Sequence, residues 1–219
     1  MNRSTPSLFP AAVLAALLAV PLPAVAAHEG HDAPKPAATL PTATEATATL
    51  RDLWVDHVFW VRGVVVATIA GNDAAAAEAE KQVVANAHAI AASIAPYYGD
   101  AASDSLFQLL AGHYGAVKKV LGASVAADKA GREAALAGLN ANATEIARFL
   151  SSANPNLPFD RVNALLLAHG AHHLEQIDEL RRKDYAAEAR TWESMKAHMF
   201  VIADALAGAI AKQFPARFR

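Results

Sequence analysis

Apolar residues recur along this chain in alternating steps of three and four, the spacing of one face of an α-helix. One stripe runs Leu50, Trp54, His57, Val61, Val64, Thr68, and a second Leu106, Leu110, His113, Val117, Val120. A third reads Val162, Leu165, His169, His173, Gln176, Leu180, and a fourth Thr191, Met195, His198, Ile202, Leu206, Ala209. Boundary signals divide the chain into six helices. Thr42 with Glu45 forms a capping-box pattern that opens helix one, which runs to about Ile69 before Gly71. Asp73 is the expected cap of helix two, and Pro96 its stop. Asp100 opens helix three and Gly122 closes it. Ser124 is the expected cap of helix four, which runs to about Ser152, ahead of Asn154-Pro155. Helix five starts near Pro158 and ends in a cationic turn, Arg181 to Lys183; Asp184 then caps helix six, which Pro215 ends. Six helices on short connections predict an all-α fold, an antiparallel up-and-down bundle forming a single domain over residues 43–219.

Ahead of the bundle the pattern changes. Residues 1–27 read as a signal peptide, with Arg3, an apolar run from Leu8 to Val20 and a small-residue cleavage region. The product is expected to be periplasmic or secreted after cleavage near Ala26/Ala27. Residues 28–42 form an Ala/Pro/Thr-rich leader with little to bury. No later stretch stays apolar for the roughly 20 residues of a membrane span. With no cysteine, the chain has neither disulfide nor thiol chemistry. The formal charge is −2, or −3 once Arg3 leaves with the signal, which argues against a nucleic-acid surface.

The histidines change the picture most. His57, His113, His169 and His198 each interrupt an apolar stripe, and the midpoints of their helices fall near positions 56, 111, 170 and 199. In an antiparallel bundle, midpoints share one height, so the four imidazoles are expected within about 3 Å of a common layer at 1.5 Å per residue. Neutral imidazole binds zinc, copper and iron, and an unpartnered buried polar group costs about 1–3 kcal/mol. The sharpest expectation is therefore a buried transition-metal ion (Fe, Zn or Cu). His57, His113, His169 and His198 are its candidate ligands, and the carboxylates Glu145, Glu193 and Asp204 orient or supplement them. The alternative is a metal-free polar layer of His, Asn86, Asn142 and carboxylates that fixes helix register. His169, His172 and His173 overlap this set. Spacings of three and four put His169 on one face with each of the others, and an i, i+4 pair can chelate one metal. His172, Glu175 and His88 read as surface residues, and His28 at the mature start as a solvated tail able to chelate copper.

Catalytic patterns are missing: there is no Gly-rich phosphate loop, no GxSxG elbow, no cysteine nucleophile, and no paired ExxH of a di-iron bundle. The aromatics read as packing. An exported metal-binding bundle used for storage, sensing or transport is thus expected rather than an enzyme. The second reading is a metal-free envelope scaffold or protein-interaction module. A hydrolase or transferase using the histidines as acid–base groups comes last.

Several blocks together resemble a bacterial family of small exported all-helical proteins. They are Leu53-Trp54-Val55-Asp56-His57-Val58, the PYYG of 96–99, Asn142 to Ala147, FLSSANP at 149–155, and the stretch from His198 to Pro215 with Ala203-Asp204 and Gln213-Phe214-Pro215. The resemblance covers nearly all of the mature chain and implies a helical bundle but no particular activity. It also implies a site at His57, His113, Glu145, His169, Glu193, His198 and Asp204. This chain departs from the family pattern at Ala87, Ala89 and Ala91, and at Lys196 where a second histidine is usual. His172 and His173 fall where relatives carry apolar or hydroxyl residues.

Overall fold

Thr42 starts the first helix with both halves of a capping box. Its hydroxyl accepts from the Glu45 backbone N–H, and the Glu45 carboxylate accepts from the Thr42 backbone N–H at 2.7 Å. The computed structural model describes residues 40–219; the signal peptide expected at 1–27 and nearly all of the leader at 28–42 lie outside these. The helices are α1 (Ala43–Ile69), α2 (Asp73–Ala92), the single turn α3 (Ala95–Tyr98), α4 (Asp100–Val125), α5 (Lys129–Ala153), α6 (Phe159–Arg181) and α7 (Tyr185–Gln213). A 3₁₀ turn at Pro215–Arg217 follows, and there is no strand among the described residues.

Four boundaries differ from those the sequence predicts. Asn72, not Asp73, caps α2, because its side-chain oxygen accepts from the Ala75 N–H, three residues on, at 3.0 Å. Helix α4 runs past Gly122 to Val125, so Ser124 lies inside it, buried, with its hydroxyl accepting from Arg132 Nε. The cap of α5 is Asp128. Pro96 does not end α2 directly; it sits in the first turn of α3, where its missing N–H costs nothing.

The six long helices form a ring in which α1 packs on α2, α2 on α4, α4 on α5, α5 on α6, α6 on α7, and α7 back on α1. Three of them, α1, α4 and α6, also touch one another across the middle. The bundle is thus three hairpins, α1–α2, α4–α5 and α6–α7, each with one inner and one outer helix.

These hairpins are copies in register. Their outer helices start at Asp73, Lys129 and Tyr185, 56 residues apart. The caps Asn72, Asp128 and Asp184 keep that spacing, and each accepts from the backbone N–H three residues on. The residues just before them, Gly71, Ala127 and Lys183, all adopt left-handed backbone, with φ of 66°, 55° and 59°. Equivalent core positions match as well: Ile90, Ile146 and Ile202, and Ala91, Ala147 and Ala203, all buried. A fixed period without insertions marks an internal repeat, here a three-fold one.

Helix α7 is long and apolar enough by composition to cross a bilayer, which the sequence reading did not anticipate. In the fold its apolar face, including Met195, Met199, Ile202 and Ala203, is packed against α1 and α6.

Candidate metal centre

The inner helices carry the chemistry. His57 on α1, His113 on α4 and His169 on α6 occupy the same position of the three repeats, 56 residues apart. Because these helices meet across the middle, the rings converge: their centroids are 6.4, 5.4 and 5.7 Å apart, a nearly regular triangle. His173, one turn beyond His169, adds a fourth ring from α6. All four are at most 3% exposed, and one ring nitrogen from each lies within 4.8 Å of the others. His173 breaks the three-fold pattern, since its counterparts are the buried Val61 and Val117.

The hydrogen bonds fix part of the proton arrangement. Asn142 Nδ2 donates to the Leu109 carbonyl at 3.1 Å, which turns Oδ1 toward His113. That oxygen can only accept, so His113 carries its proton on Nδ1 and donates it over 3.2 Å, leaving the Nε2 lone pair free. Gly112 makes the approach feasible, because a Cβ there would stand 3.1 Å from Asn142 Nδ2. His169 and His173 face each other through Nε2 atoms 3.1 Å apart, so one of them donates to the other's lone pair.

Burial keeps the rings neutral. It pushes His57 down to about 3, with a smaller contribution from the charge of His113. Burial likewise pushes His113 down to about 4, against a partial restoring effect of Asn142. His169 and His173 lie well below the ordinary imidazole value, first through burial and then through the neighbouring histidines. At neutral pH the centre therefore holds four neutral imidazoles, the form that ligates metals.

His57 Nδ1, His113 Nε2, His169 Nδ1 and His173 Nδ1 are all buried without a hydrogen-bond partner. At about 1–3 kcal/mol each, such orphans are a heavy charge on a domain stable by about 5–15 kcal/mol. A cation among the four rings would give the free Nε2 lone pair of His113 a partner. Nitrogens on a tetrahedral zinc stand about 3.4 Å apart, given Zn–N bonds of about 2.0–2.1 Å. The His169–His173 pair is already near that spacing, and modest ring movements would close the rest.

The other expected site residues lie elsewhere. His198 is on α7, an outer helix; its Nε2–H donates to the Leu165 carbonyl at 2.8 Å, and its ring meets His172 edge-on at 5.5 Å. Glu145 is exposed. Glu193 is exposed and pairs with Lys196 at 2.7 Å. Asp204 is exposed and held by Arg51, whose Nε and Nη2 both donate to it at 2.7 Å. His172 lies beside Glu175 at 3.5 Å, and His88 stacks on Phe107 at the surface. The structure thus brings together His57, His113 and His169 from the expected layer, and adds His173 from the overlapping i, i+4 pattern.

A second buried polar group sits further along α6. Gln176 Nε2 donates to Glu188 at 2.9 Å, and Arg62 holds the same carboxylate with two donors. These contacts satisfy Glu188 and leave it no role in the histidine centre.

Compared with protein-family models, with curated proteins and with solved structures, the chain matches none.

Proposed function

We propose that this protein is exported and binds one transition-metal ion per chain through His57, His113, His169 and His173. The observation that carries the reading is the convergence of four buried, neutral imidazoles, with one ring nitrogen from each within 4.8 Å of the others. The all-nitrogen donor set suits zinc, copper or iron. Four protein ligands complete a tetrahedral shell and leave no open position of the kind catalytic zinc sites keep. Rings buried this deeply also have no substrate-sized access. Holding, carrying or sensing the metal therefore fits better than catalysis.

Elemental analysis of the purified mature protein tests this. One equivalent of zinc, copper or iron is expected, lost in His57→Ala and His169→Ala. No stoichiometric metal, together with no rise in melting temperature on adding Zn²⁺, Fe²⁺ or Cu²⁺, would leave the metal-free polar layer, and with it the scaffold reading, in place.

A further inference from the structure

Each repeat-related histidine has a polar side chain of its own hairpin's outer helix bonded to the backbone beneath it. Asn86 Nδ2 donates to the Leu53 carbonyl at 2.9 Å, Asn142 Nδ2 to Leu109 at 3.1 Å, and His198 Nε2 to Leu165 at 2.8 Å. Those carbonyls stand four residues before His57, His113 and His169, one helical turn below each ring. Asn86, Asn142 and His198 are again 56 residues apart.

In the second hairpin the remaining atom of the pattern, Asn142 Oδ1, accepts the His113 Nδ1–H. In the first hairpin the two atoms of the same bond, Asn86 Oδ1 and His57 Nδ1, are both buried and both unpartnered. In the third, His169 Nδ1 is buried and unpartnered. His198, with its proton committed to a carbonyl, keeps a lone pair on Nδ1 and so offers the acceptor that an Asn oxygen offers elsewhere. His198 also stands near enough to His169 for its charge to act on that ring.

We infer that Asn86, Asn142 and His198 are equivalent positioning residues, each bridging a helix carbonyl and the Nδ1–H of the histidine on its own hairpin. All three rings then turn their Nε2 lone pairs to the centre. Imidazoles that bind metals commonly donate the other ring N–H to a fixed acceptor, which sets the tautomer and raises ligand basicity. The histidine at 198 is thus an imidazole doing the work of a carboxamide. The purpose of the arrangement rests on the metal reading; its geometry does not.

The test is long-range ¹H–¹⁵N NMR of the histidine rings, with and without Zn²⁺, alongside Zn²⁺ affinity from chelator competition. On loading, His57, His113 and His169 are expected as Nδ1–H tautomers. Asn86→Leu, Asn142→Leu and His198→Leu should each lower affinity about 10–100-fold and free the tautomer of the ring on the same hairpin only. His198→Asn should restore most of what His198→Leu loses, because an amide can make both bonds. Equal loss in His198→Asn and His198→Leu would overturn the inference. So would an Nε2–H tautomer at any of the three rings in the loaded wild type, a result that needs no variant to fold. If Zn²⁺ binds but the tautomers ignore these substitutions, the positioning role fails and the metal reading stands. If no Zn²⁺ binds and the tautomers still respond hairpin by hairpin, the metal reading fails and the positioning role stands.

Discussion

His173 and His169 face each other across one turn of α6, with their Nε2 atoms 3.1 Å apart. The contact exists because His173 replaces a valine: Val61 and Val117 fill the equivalent positions of the other two hairpins and are equally buried. A buried imidazole with an orphaned Nδ1 is a poor exchange for a valine unless a ligand repays it. Without metal, His173→Val is therefore expected to match or exceed the wild type in stability, by up to about 1–3 kcal/mol. With Zn²⁺ present the order should reverse. Paired urea titrations with and without the ion measure both. A His173→Val protein clearly less stable than wild type without metal would instead mean that the histidine is a structural part of the core.

Metal addition should stabilise the fold by mass action. At a free ion concentration about a hundred times Kd, the gain is about 2.7 kcal/mol. The melting temperature should rise accordingly and fall back on chelation. His57→Ala should abolish this ion dependence.

Acid should unfold the metal-free protein early. His57 and His113 titrate at about 3 and about 4 in the fold, and His169 and His173 lie well below their ordinary value. An unfolded histidine takes its proton near pH 6.5. Below that pH the unfolded chain binds more protons than the folded one, so stability falls as pH falls. The slope is about 1.4 kcal/mol per pH unit for each buried ring. With four rings, loss begins near pH 6.5 and exhausts a net stability of about 5–15 kcal/mol between about pH 5.5 and about pH 4. Circular dichroism against pH checks this, and a protein stable down to the carboxylate range would contradict it. Bound metal should move the transition to lower pH.

The turn between α4 and α5 offers a stabilising change. Ala127 holds φ of 55° where the first hairpin uses Gly71 at 66°. A left-handed conformation costs an L-residue about 1–2 kcal/mol. Ala127→Gly should recover about 1 kcal/mol, offset in part by the greater freedom of an unfolded glycine. For a chain of this size that is a rise of about 2–4 °C in melting temperature. A decrease would show that the turn has relaxed the strain by other means.

Much of this was legible from the residue pattern. Capping signals at Thr42 and Asp184 placed two helix starts correctly, and the stripes around His57, His113 and His169 put those rings in the core. The height of a residue along its helix was therefore readable. Which helices stand in the middle was not, since apolar stripes look alike on inner and outer helices. That is why the stripes alone group His198 with the other three. The separations carry the missing signal: His57, His113 and His169 are 56 apart, but His198 follows His169 by 29 and instead matches Asn142 and Asn86. The acidic residues failed for a rotational reason. Glu145 and Asp204 adjoin the buried Ile146 and Ala203, and one residue along a helix turns a side chain by about 100°, enough to carry it into solvent.

Because no hairpin contributes more than two of the four rings, none of them completes the cluster alone. Each hairpin can assemble from neighbours in sequence, whereas the central cluster exists only after the start, middle and end of the domain have docked. Ion occupancy would then act as a clasp closed last, reporting that all three pieces of the chain have found one another.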